Sequence, residues 1–142
     1  MFLAVLSGVF IFVISQFILK LILEPVVRLK ETFGLISAIL LREQANITNY
    51  VESVELQSEI RDVSSMLMSK PYAIPFYEYI CKIIMLPTKK DLLEVSRSLN
   101  FISHCVAPGV KERNEIVDTK MLNHEMKVIS EILKIPVSYR DL

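Results

Sequence analysis

The sequence predicts an all-α protein: an N-terminal transmembrane helix followed by a cytoplasmic bundle of four to five helices. Three observations carry that prediction. Residues 1–19 contain no Asp, Glu, Lys or Arg. Beyond them, apolar residues recur at spacings of three and four, the period of a helix with one buried face. No stretch combines sustained apolar–polar alternation with turn chemistry, so nothing reads as a sheet. The domain division follows, with residues 1–24 as the anchor and residues 25–142 as a cytoplasmic helical domain.

Composition fits this division. A chain of 142 residues holds one anchor and one small domain. The mean hydropathy of +0.44 is high for a soluble chain of this size, and the uncharged N-terminal run accounts for the excess. Sixteen basic and sixteen acidic side chains balance, so no charge surplus points to nucleic acid. Two cysteines, Cys81 and Cys105, make no disulfide framework and suit a reducing compartment.

The anchor runs from Phe2 to Leu23, interrupted only by Lys20. Twenty-two residues at about 1.5 Å each reach roughly 33 Å, against a hydrocarbon core of about 30 Å. Thirteen Phe, Leu, Ile or Val residues between Phe2 and Leu19 favour insertion by an upper bound of about 4 to 8 kcal/mol. Ser7, Ser15 and Gln16 offset part of that, and Lys20 can snorkel to the interface. A cleavable signal peptide would need a basic leader and a small-residue cleavage site. Neither is present, so the expectation is an uncleaved single-pass anchor. Lys20, Arg28 and Lys30 all follow the apolar run. By the positive-inside tendency they place residues 24–142 in the cytoplasm. On that side the sequon Asn46-Ile47-Thr48 is a chance match.

Ala4, Gly8 and Ser15 share one face of the anchor, with Ser7 beside them. Small residues let two helix backbones approach closely, so this is a candidate self-association face. Small residues also occur in spanning helices without any such role, and both readings stand.

Glu24-Pro25 marks the membrane exit, where a kink or a new helix start is expected. Val26, Leu29, Phe33, Ile36 and Leu40 then define a helix to about Glu43, followed by a turn over Gln44–Asn49. A second helix spans about Val51 to Ser69, with Val54, Ile60, Val63 and Leu67 inward. Pro71 and Pro75 break it. An apolar helix follows over 76–86. Thr88 and Asp91 then resemble a capping box that opens a helix through Leu92, Val95, Leu99 and Ile102 to about Cys105. The last helix is expected from about Lys111 to Lys134, with Ile116, Met121, Leu122, Met126, Ile129 and Leu133 as its apolar set.

Chemistry is harder to find. The only soft ligands are Cys81, Cys105, His104 and His124, and no pair has metal-binding spacing. Glycines 8, 34 and 109 are isolated, which excludes a phosphate loop. Glu52, Glu55, Glu59 and Asp62 read as a solvated helix face. No catalytic, metal or cofactor-binding residue is assigned, and no cofactor is expected. The most unusual stretch is Tyr72 to Leu86, too short to span a membrane. A buried core helix is the favoured reading, since a bundle needs one element apolar on several faces. The alternative is a surface for lipid or for a partner protein, centred on Tyr72, Phe76, Tyr77 and Tyr79.

Two segments carry a resemblance: the apolar run into Leu23-Glu24-Pro25, and the block from Ile74-Pro75-Phe76-Tyr77 to Leu86-Pro87. Together they resemble a group of small bacterial single-pass membrane-anchored helical proteins without an established function. That resemblance implies the cell inner membrane of a bacterium as the setting, and no catalytic residue. The expected function is a membrane-tethered, non-enzymatic interaction module. Its partners would be the bilayer, a second copy of the chain or an unidentified protein, and not nucleic acid. Two alternatives remain: an oligomerising membrane-perturbing effector, and an enzyme with an unrecognised site.

Overall fold

A computed structural model describes residues 1–109 and 119–139. Among the described residues there are six helices and no strand. They are α1 (Phe2–Arg42), α2 (Gln44–Thr48), α3 (Val54–Ser69), α4 (Tyr77–Ile83), α5 (Lys89–Cys105) and α6 (Thr119–Leu133).

The first helix is long and apolar enough to cross a membrane. No residue of its first seventeen is buried. The expected kink at Pro25 takes a different form: the helix continues through it. Proline lacks the N–H and its ring crowds the carbonyl four residues back. The turn over Leu19–Leu23 widens to π geometry just ahead, with the Glu24 N–H reaching Leu19 O five residues back. One wider turn accommodates the ring without breaking the rod.

Past the π turn, the Glu24–Arg42 half of α1 becomes the first helix of the bundle, burying Val26, Leu29, Phe33, Ile36, Ile39 and Leu40. The next helix returns beside it. Arg42 at the far end of α1 pairs with Glu59 at 2.6 Å. Lys70, just past α3, donates from Nζ to the Arg28 carbonyl at 2.9 Å. Helix α3 therefore runs back toward the anchor. Helix α5 then runs away from it, with Ser96 against Ser64 at 2.8 Å and the Val106 carbonyl accepting from Ser53 N–H at 3.0 Å. Helix α6 reverses again, for Thr119 lies near Tyr50 and Glu125 accepts from Ser98. Four long helices thus alternate in direction, and their inward stripes meet in one core around Leu29, Ile36, Ile60, Leu67, Leu99 and Ile129.

Several boundaries differ from expectation. Gln44–Thr48 is a short helix rather than a turn, because it carries Ile47 fully into the core. Val54 is 61% exposed and Leu56 takes the inward place. The helix starts only after Ser53, whose hydroxyl accepts from the Leu56 N–H. At about 100° per residue, Val54 then sits roughly 120° away from Ile60. Met121 is likewise exposed, about 100° round from Leu122. Glu59 is not simply solvated, since it pairs with Arg42 across the helix gap. The expected helical stretch Lys111–Asp118, with Ile116, lies outside the described residues.

Candidate membrane-facing surface

Two features outside the core invite function, and both lie on the anchor side of the bundle. The first is the bare half of α1. Ala4, Gly8 and Ser15 share a face there, and a Cβ added at Gly8 would meet nothing within 4 Å. Ser15 Oγ donates to the Ile11 carbonyl at 2.8 Å, and Ser7 Oγ to Ala4 O at 2.9 Å. The two hydroxyls are satisfied within their own helix, which leaves the stripe smooth and short rather than strongly polar. Lys20, Arg28 and Lys30 follow on exposed positions toward the bundle.

The second feature is the turn between α3 and α5. After Ser69 the chain tightens into a 3₁₀ turn at Lys70–Ala73, because Pro71 cannot continue the α-helical ladder. Lys70 Nζ also reaches the Thr32 hydroxyl, so this turn is pinned to α1 just beyond the exit. A cleft lined by Lys20, Glu24, Pro25, Arg28, Lys70 and Ala73 lies between them. Phe76 then adopts φ +53° and Met85, two residues beyond α4, adopts the same value. Left-handed backbone in a bulky residue costs on the order of 1–3 kcal/mol and persists only where the surroundings impose it. These two reversals confine α4 to seven residues, where an unbroken apolar helix over 76–86 was expected.

The consequence is a two-sided element. Tyr77, Cys81, Ile74 and Leu86 face the core. Tyr77 is therefore not part of an exposed surface: it is 3% exposed, and its hydroxyl donates to the Pro87 carbonyl at 2.6 Å. Burial pushes its phenol pKa up. Tyr72, Phe76 and Tyr79 do lie outside, between 71% and 77% exposed, joined by Ile83 and Met85 at 79% and 82%. The favoured reading of a wholly buried core helix thus holds for one face only. Lys89 Nζ sits 4.7 Å from the Tyr72 ring centroid, a cation–π contact that places a charge at the rim of the apolar patch. Lys70 did not stand out in the sequence, and Ile83 and Met85 fell within the unusual Tyr72–Leu86 stretch without being among its candidate surface residues.

The other reactive groups serve packing. Cys81 and Cys105 are buried and free, and burial raises the Cys105 thiol to about 11, so it stays protonated near neutrality. His104 lies on the exposed side of the same helix end. Among the described residues, no group of three or more His, Cys, Asp or Glu converges on one point. Comparison with protein-family models, characterised proteins and solved structures finds no match to this chain.

Proposed function

We propose that the chain is a single-pass, membrane-tethered helical module. Its bundle sits on the cytoplasmic face of a bacterial inner membrane and acts by binding a second copy or a partner protein rather than by catalysis. The observation that supports this most directly is α1 itself. One helix of 41 residues is bare over its apolar half and core-forming over the other. Lys20, Arg28 and Lys30 on the bundle side support the orientation. Polar side chains that meet across helices, buried Ser64 with buried Ser96 and buried Ser98 with half-buried Glu125, join helix to helix. Such contacts favour a structural over a catalytic role for the interior.

The test is crosslinking of the full chain in its native membrane, followed by identification of what is covalently captured. A discrete homo-oligomer or one recurrent protein partner is the expected result. Random capture in proportion to abundance, with no recurrent species, would overturn the reading.

A further inference from the structure

We infer that the Tyr72–Met85 knob is a second membrane contact, which seats in the headgroup layer of the same bilayer that α1 crosses and prefers anionic lipid. The inference rests on the reading of α1 as a spanning helix. Three observations carry it. The first is height. Ile22, still within the apolar run, already packs against the bundle core. Ala73 shares a cleft with Lys20, Glu24 and Pro25. Lys70 bonds to the carbonyl of Arg28, five residues past Leu23 and so about 7 Å along the axis. The headgroup layer is itself roughly 5–8 Å thick on each side. The turn that carries the knob therefore lies at headgroup depth, with no gap for an intervening partner between bundle and bilayer.

The second observation is chemistry. Tyr72, Phe76, Tyr79, Ile83 and Met85 are all more than two-thirds exposed. Aromatic rings with polar edges favour the interface, and the aliphatic neighbours supply area to bury. The third is charge. Between residues 70 and 90 stand Lys70, Lys82, Lys89 and Lys90 against a single glutamate, Glu78. Lysines at this depth attract anionic headgroups, and Lys89 stacked on Tyr72 couples that charge to the aromatic cluster. Of the four non-glycine residues with left-handed backbone among the described residues, Tyr50, Phe76, Met85 and Lys134, the two in the knob are both in the exposed apolar set. At these two positions the reversed backbone turns a large apolar side chain away from the core.

The chain has no tryptophan, so single reporters are unambiguous. The full chain carrying Phe76→Trp is reconstituted in phosphatidylcholine–phosphatidylglycerol vesicles with brominated acyl chains, beside Phe12→Trp in the anchor and Val54→Trp at the far end of the bundle. Phe76→Trp is expected to be blue-shifted and to lose much of its emission to bromine, approaching Phe12→Trp, while Val54→Trp is unquenched. Phe76→Trp behaving like Val54→Trp, with Phe12→Trp quenched, overturns this inference alone. An unquenched Phe12→Trp overturns the spanning reading beneath it. Equal quenching of Phe76→Trp in purely phosphatidylcholine vesicles overturns the preference assigned to the lysines.

Discussion

Ser64 and Ser96 face each other at the centre of the contact between α3 and α5, 3% and 7% exposed, with their hydroxyls 2.8 Å apart. Removing one partner strands the other. Ser64→Ala forfeits a hydrogen bond with a net value of about 1 kcal/mol and leaves the Ser96 hydroxyl in an apolar gap, a further cost of roughly 1 kcal/mol. A gain of about 0.5 kcal/mol from alanine's better helix propensity offsets part of this. Each single variant should therefore be less stable by about 1–1.5 kcal/mol. The double variant loses both partners together, leaves no orphan and collects the propensity gain twice. It should lie within about 0.5 kcal/mol of the parent or above it. Urea denaturation of the full chain in micelles, followed by helical circular dichroism, reads this directly, with the anchor contributing a constant background. Two single losses that simply add in the double variant would refute the reasoning, because they would show that the hydroxyls act independently.

Three further outcomes are expected. Thr88→Ala removes the cap in which Thr88 Oγ1 accepts from Asp91 N–H while Asp91 accepts from Thr88 N–H. It should cost about 1 kcal/mol and lower the midpoint of thermal unfolding by about 4 °C. Cys105, raised by burial from 9.0 to about 11, ionises in the unfolded chain before it does in the folded one. Its contribution is then intact below pH 9 and lost as pH rises to about 11; the parent's alkaline stability loss should exceed that of Cys105→Ala over this window. Gly8→Ile places a branched side chain on the smooth face of α1. It should reduce self-association of the full chain in membranes by several-fold, read by in-membrane energy transfer, and an unchanged transfer efficiency would remove that face from the mechanism.

Much of the fold was legible because its determinants are local. The stripes Leu92, Val95, Leu99, Ile102 and Leu122, Met126, Ile129, Leu133 repeat at helical spacing and are buried as that spacing requires. The Thr88–Asp91 box lies four residues end to end and forms as read. What escaped is non-local or strained. Lys70 meets Arg28 across 42 positions, and no local pattern announces that contact. Phe76 and Met85 take a backbone conformation that favours glycine, so residue preference argues against the very reversals that turn the knob outward. Tyr77 and Tyr79 are two residues apart in the same apolar run, and composition alone cannot assign one to the core and the other to the surface. Val54 lies outside for a local reason: six residues at helical spacing set it about 120° from Ile60, whereas Leu56, four residues before Ile60, falls on the buried face.

The unbroken passage from anchor to bundle bears on how such a module would bind. A domain on a flexible linker samples every orientation, and each contact it makes must fix that freedom. Here the helix continues through Pro25 on a single π turn, and the bundle core begins at Ile22, before the apolar run ends. Orientation is therefore already fixed when the anchor inserts. A pairing of anchors along Ala4, Gly8 and Ser15 would carry the two bundles into one defined azimuth, so that side-wall contacts too weak to form in solution add to the pairing without a further orientational cost. If the knob seats as inferred above, Tyr72, Phe76 and Tyr79 face the bilayer and the base is withdrawn from soluble partners. Partner binding is left to the side walls and to the far end around Arg42, Gln44 and Tyr50. Arg42→Glu should weaken capture of a protein partner, while charge reversal at Lys82 and Lys89 should instead alter lipid preference. On the proposed reading, lipid contact belongs to the base of the bundle and partner contact to its side walls and far end.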